Sequence, residues 1–234
     1  MSQPSTTVTE RRTVALNSRL PTGITLIQQA VDSDFDPCIK VSTSESLHDS
    51  FMEQRTFPTF EDYAEFISTY RSTAKGARHT CGPMQESQHP KKGGLGHWRL
   101  KANALPFNLV RLDIDGLRDT ATLNAVSARL MVERNCIIYE TGSSTPEQPR
   151  CRVEMPLNRP VSQDDMTRLC LAIEKDLVRE FGAAAFPGKN GGLSFDRSVY
   201  NSYQPCYGPL EGAEVYTQLD LEPIDVAAAL ERSQ

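Results

Sequence analysis

Residues 109–116 read Leu-Val-Arg-Leu-Asp-Ile-Asp-Gly. In an extended chain alternate side chains point to opposite faces, so Leu112 and Ile114 share one face and Asp113 and Asp115 the other. Glycine ends the run. A helix is predicted next, from about Thr120 to Glu133, on Leu123, Val126 and Leu130, and then a strand, Cys136 to Tyr139. A turn-rich stretch, Thr141 to Pro149, separates that strand from another, Arg150 to Leu157. There Cys151, Val153, Met155 and Leu157 point one way and Arg150, Arg152 and Glu154 the other. Ser162 and Asp165 then form a capping-box candidate, and Met166, Leu169, Cys170, Ile173, Leu177 and Phe181 trace one helix face until Gly182 stops it. The order β-α-β-β-α, with two strands joined directly by a turn, predicts an α+β fold with a largely antiparallel sheet rather than a doubly wound parallel one.

The flanks are less regular. Residues 1–20 are expected to fray, Gly23 to Val31 is an apolar segment, and Cys38 to Val41 a short strand. Thr59 and Asp62 form another capping-box candidate before Phe60, Tyr63, Phe66, Ile67 and Tyr70, so 60–72 is predicted helical. A glycine-rich loop at 188–192 precedes Leu193 to Asp196, and 223–231 is a short helix candidate. This divides the chain into a frayed 1–20, one domain over 21–222 and a C-terminal tail or helix over 223–234.

Composition narrows the class. The 234 residues are 38% hydrophobic and 24% charged, which suits a folded globular domain and excludes collagen, coiled coil and general disorder. No run approaches 18 apolar residues and Met1 to Arg12 is polar, so neither a membrane span nor a secretory leader is expected. Six cysteines without a C-x-x-C pair predict reduced, mostly buried thiols and a cytoplasmic protein. The net charge is −5, yet from Arg71 to Lys101 seven cations (Arg71, Lys75, Arg78, Lys91, Lys92, Arg99 and Lys101) face Glu86 alone. The same strip holds His79, His89, His97 and the sole tryptophan, Trp98. It is read as a loop that either is merely solvated or grips single-stranded nucleic acid, with Trp98 stacking on a base.

Two carboxylates on one face of an apolar strand repel unless a positive charge lies between them, and hard oxygen ligands suit magnesium or manganese. D-x-D also occurs by chance on exposed edge strands. Here it comes with hydroxyls in the following turn (Thr141, Ser143, Ser144, Thr145), the guanidinium groups of Arg150 and Arg152, and a later carboxylate, Asp196. Arginines, hydroxyls and glycine-freed N–H groups together suit a triphosphate.

In this order the pattern resembles the catalytic domain of the archaeo-eukaryotic primase superfamily, in particular the primase-polymerases of phages and plasmids. The likeness covers roughly 99–208 and is strongest in Thr145 to Val161, TPEQPRCRVEMPLNRPV. It implies an RNA-recognition-motif-like sheet with flanking helices, preceded by a small N-terminal α/β module. It also implies a two-metal site using Mg2+ or Mn2+, with Asp113, Asp115 and Asp196 as metal-binding and catalytic carboxylates. Ser143, Ser144, Thr145, Arg150 and Arg152 would then bind nucleotide, and Arg78, Lys91, Lys92, Trp98, Arg99 and Lys101 nucleic acid. One position departs: the family's turn histidine is Ser144 here. The activity so implied is template-directed nucleotidyl transfer in replication, on a single-stranded DNA template with nucleoside triphosphates, alongside a replicative helicase. The rivals are a non-catalytic template-binding module of the same fold, a D-x-D nucleotide-sugar glycosyltransferase, and a zinc site on His79, Cys81, His89 and His97.

Overall fold

The computed structural model describes residues 38–46, 50–74 and 76–233. The expected fray at 1–20 and the apolar segment 23–31 lie outside these residues, as does Lys75 of the basic strip.

The strand 107–114 (β6) leads to helix 120–133 (α2), strand 136–140 (β7), strand 151–161 (β8) and helix 163–181 (α3). β8 lies between β6 and β7, antiparallel to both. Residues 194–196 then pair antiparallel with the end of β6: Asp115 N–H donates to the Ser194 carbonyl and Asp196 N–H to the Asp113 carbonyl. The result is a β-α-β-β-α order whose following segment returns to the free edge of β6 and makes a single antiparallel bridge there. A strand at 215–218 (β10) extends the sheet beyond β7. Expectation and structure agree on an α+β fold built on an antiparallel sheet.

The alternation read along β8 holds. Val153 faces its partners Leu112 and Ile138, and this apolar face packs under α2 and α3 with Val126, Leu130, Leu169 and Ile173 in one core. Both helices start on side-chain caps, Asp119 accepting from Thr122 N–H and Ser162 from Asp165 N–H. α3 ends at Gly182, whose φ of 79° is a left-handed conformation that glycine adopts without a Cβ penalty.

The polar face of this sheet is covered as well. A second antiparallel sheet joins β2 (53–57), β1 (39–44), β3 (79–81) and β9 (206–207) in that order, with helix 60–69 (α1) packed on β2. α1 carries the expected capping box, Thr59 with Asp62, and ends at Thr69, three residues earlier than its aromatic spacing suggested. Tyr63 reaches from α1, Thr80 from β3 and Tyr207 from β9 to hydrogen-bond residues of β6 and β8.

The basic strip is not one loop. It contains β3 and a hairpin, β4 (86–88) with β5 (95–97), whose turn holds Lys91 and Lys92. His79 and Cys81 are buried in β3. All six cysteines are free and five are buried. The 223–231 expectation is met by helix 226–232 (α4), which packs on α3. Among the described residues no helix is long and apolar enough to cross a membrane.

Candidate active site

Register explains why the candidate residues meet. Tyr139 of β7 pairs with Arg152 of β8, and Arg152 with Asp113 of β6. Asp196 lies across from Asp113 on its other side, through the backbone bond from Asp196 N–H. Cross-strand partners share a face, so Tyr139, Arg152, Asp113 and Asp196 form one row. Asp115, two residues on from Asp113, comes onto that face just past the end of β6. A cavity of about 230 Å³ opens there, lined by Asp113, Asp115, Asp196, Arg152, Thr141, Gly142, Ser143, Ser198 and Tyr207.

Within the cavity the three carboxylates differ. Asp113 is 4% exposed. Arg152 donates to its Oδ2 twice, from Nε at 3.0 Å and Nη2 at 2.7 Å, while the buried Oδ1 has no hydrogen-bond partner. Burial pushes the Asp113 carboxyl above its usual range; Arg152 opposes this, and the negative charges of Asp115 and Asp196 add to it. Asp115 is exposed and has the Arg150 guanidinium 3.7 Å away. Asp196 is half-buried and caps the 3-10 turn 197–200 by accepting from Ser198 N–H. Arg152 is fixed from behind: its Nη1 donates to the Tyr207 carbonyl at 2.7 Å and its guanidinium lies 5.2 Å from the Tyr207 ring.

This donor set suits a hard divalent cation: carboxylate oxygens on one wall, and one of them, Asp113 Oδ1, desolvated and unpartnered. Among the described residues, however, no three His, Cys, Asp or Glu side chains stand close enough to ligate one ion together. Ions here would be held by one or two carboxylates at a time, with substrate oxygens completing the shell, as magnesium commonly is.

Beneath the row lies a second buried ion pair that the sequence reading did not find. Arg111 Nε donates to Glu154 Oε2 at 3.0 Å, with both side chains at most 2% exposed. The Tyr63 hydroxyl donates to the same oxygen at 2.7 Å, the Tyr139 hydroxyl lies 3.3 Å from Oε1, and Arg111 Nη2 donates to Thr80 at 2.7 Å. The signal was present, since Arg111 falls two residues before Asp113 and therefore on the same face.

The turn of the β7–β8 hairpin divides its hydroxyls. Thr141 and Ser143 line the cavity. Ser144 does not; its hydroxyl donates to Glu140 and accepts from Arg150 N–H at 3.0 Å, clamping the turn. Thr145 accepts from Gln148 N–H in the same turn. Arg150 stands at the cavity's edge between Asp115 and Ser143, 3.4 Å from the serine oxygen. Ser198 and Tyr207 were not singled out from sequence. Gly142 has a spatial reason, because a Cβ there would come within 2.5 Å of the Leu210 side chain.

The predicted nucleic-acid residues separate into groups. Trp98 packs edge-on against Phe51, 5.2 Å between centroids, and against His89 at 4.7 Å, with Lys92 Nζ 6.0 Å from its ring. Lys91 is exposed beside them, and Phe51 and Leu95 are 48% and 64% exposed. Arg99 follows Trp98, half-buried, and Lys101 is exposed at the start of a 3-10 turn. Arg78 is elsewhere, paired with Glu45 at 2.7 Å and stacked on Tyr70. The histidines of the zinc reading also lie apart: His79 in β3, His89 on Trp98, and His97 with Nδ1 2.8 Å from the Met84 carbonyl.

Comparison with known proteins adds a family. No curated protein matches the chain. Among solved structures, the polymerase domain of ligase D from Mycobacterium tuberculosis, in complex with DNA, is similar at 17% identity and a TM-score of 0.41, covering 95% of this chain and 74% of that one. The AEP domain of the primase-polymerase of cyanophage S-2L is similar at 12% identity and a TM-score of 0.42, covering 89% of this chain and 95% of that one. The sequence model of the VapE N-terminal domain matches residues 42–214. That span takes in the whole carboxylate row, its arginine and the basic hairpin, and the chain belongs to the VapE N-terminal domain family.

Proposed function

We propose that the cavity is a nucleotidyl-transfer site that extends or starts a nucleic-acid strand on a single-stranded template, with magnesium or manganese as cofactor. The observation that carries the reading is the convergence of Asp113, Asp115 and Asp196 with Arg152 on one cavity, from adjacent strands in register. The resemblance to primase-polymerases, drawn from the sequence order of the same residues, supports it. A divalent ion bound there would supply charge to activate the attacking hydroxyl and balance the leaving pyrophosphate.

The chain's own residues have distinct roles in this reading. Asp113 offers Oδ1, since Arg152 occupies Oδ2. Asp115 presents its carboxylate from the exposed side of the cavity and Asp196 from the cap of the 197–200 turn. Arg150, Thr141 and Ser143 bind phosphate oxygens at the mouth, where a guanidinium and hydroxyls already face one another. The Trp98 hairpin, with Lys91 and Lys92, holds the template by stacking and phosphate contact.

A second reading, a template-binding module without turnover, is favoured by one observation: Ser144 is spent on the turn, so the family's histidine has no substitute at that position. Calorimetric titration of a nucleoside triphosphate with a non-transferable α,β linkage tests the site itself. Binding that requires manganese and is lost in Asp115→Ala supports both readings; metal-independent binding contradicts the metal site. Turnover separates the two.

A further inference from the structure

On the helical side of the sheet, α3, α4 and Arg134 enclose a groove of about 540 Å³. Arg168, Ala172, Lys175 and Arg179 follow one another at spacings of four, three and four residues, so they form a stripe along one face of α3, about 16 Å long at 1.5 Å per residue. Arg134 and Arg232 complete the rim.

The rim's charge is only partly answered. Arg168 pairs with Asp165 and Arg179 with Asp176. The side chains of Arg134, Lys175 and Arg232 have no hydrogen bond or ion pair among the described residues. Among the described residues, Asp176 is the one acidic residue lining the groove. Arg134 is half-buried; burial pulls its pKa below the usual arginine value, the charges of Glu133 and Asp176 oppose this, and the neighbouring Arg129 and Arg232 add to it.

The floor is aliphatic: Leu169, Ile173 and Ile224 are buried beneath, and Leu171, Ala172 and Ala229 remain partly open. No aromatic side chain among the described residues lines it. A nucleic-acid strand would find cations here but no ring to stack on, and its phosphates would leave the partly open Leu171, Ala172 and Ala229 uncovered. A helix with acidic residues on its flanks and aliphatic residues on its buried face satisfies both floor and rim.

We propose that this groove docks an acidic amphipathic helix of a partner protein, of about eleven residues, the length that matches the cationic stripe. The site lies apart from the carboxylate cavity and does not depend on the activity assigned there.

Random twelve-residue peptides displayed on phage and panned on the full chain test it. The expected winners combine Asp or Glu with Leu, Ile or Phe at spacings of three and four. A fluorescein-labelled synthetic copy should then lose at least tenfold in affinity on the double change Lys175→Glu and Arg232→Glu. Both positions are exposed, so the melting temperature and manganese-dependent nucleotide binding should be unchanged. Arg134→Gln should weaken the same peptide severalfold. Winners without acidic residues, or a peptide indifferent to the double change, would overturn the proposal. So would a twenty-residue oligothymidylate whose affinity falls tenfold on that change, since the groove would then be a nucleic-acid surface.

Discussion

Arg152 and Asp113 face each other in register across β8 and β6, and two guanidinium N–H groups converge on a single carboxylate oxygen. With both side chains more than nine-tenths buried, the pair is an obligate unit. Removing one partner strands a buried charge, which costs about 3–5 kcal/mol, whereas removing both costs much less. Arg152→Met should therefore destabilise the fold by about that amount, and Asp113→Leu with Arg152→Met should recover most of it. Urea unfolding of these two variants and of Asp113→Leu alone decides this; additive losses would mean the pair is not coupled.

The deeper pair answers to the same physics through different groups. Glu154→Gln should cost about 3–5 kcal/mol by leaving Arg111 uncompensated. Tyr63→Phe removes one of the hydroxyls on that carboxylate and should cost about 1–3 kcal/mol. Neither residue lines the cavity, so nucleotide binding by the folded variants should match wild type in the same titration.

Asp119 gives a pH dependence with a definite sign. Hydrogen bonds from Thr122, side chain first and then backbone, lower its carboxyl to about 2. A carboxyl depressed in the folded state adds stability above its unfolded value, near 4, and that contribution fades as pH falls from about 4 to 2. The melting-temperature gap between wild type and Asp119→Ala should thus be widest above pH 5 and shrink through that window. A gap that stays constant down to pH 2 would show that the cap's charge is irrelevant.

Template binding should rest on the β4–β5 hairpin. Trp98→Ala should weaken binding of an oligothymidylate by about 1–3 kcal/mol, the usual stacking contribution per base. Lys91→Glu with Lys92→Glu should lower affinity for all sequences and flatten its salt dependence. Arg78→Ala should have little effect, because that guanidinium is committed to Glu45 and Tyr70. Fluorescence anisotropy across a salt series measures all three.

Much of the central sheet was legible because its apolar face alternates cleanly: Val153 between Leu112 and Ile138 is the pattern that period-two reading detects. The opposite face was harder. Arg111 in β6 and Glu154 in β8 each look solvent-facing within their own strand, and only the second sheet, contributed by distant β1 and β3, makes them core. His79 was read as loop because β3 is three residues long, too short to show a period. The three carboxylates were found from their types and spacing, but the pairing of 194–196 with β6 that unites them is a long-range contact no local pattern specifies. Ser144 was read as a nucleotide ligand; the partners of its hydroxyl, Glu140 and Arg150 N–H, are brought to it by the turn's backbone path and were not legible in the sequence.

Strand synthesis is the measurement that bears most directly on the proposed site. A labelled primer on a single-stranded template, with nucleoside triphosphates and magnesium or manganese, should be lengthened by the wild-type chain and not by Asp115→Ala, whose exposed carboxylate can be removed without harm to the core. No extension by wild type with either metal, using both deoxyribonucleotides and ribonucleotides, or equal extension by Asp115→Ala, would contradict the account.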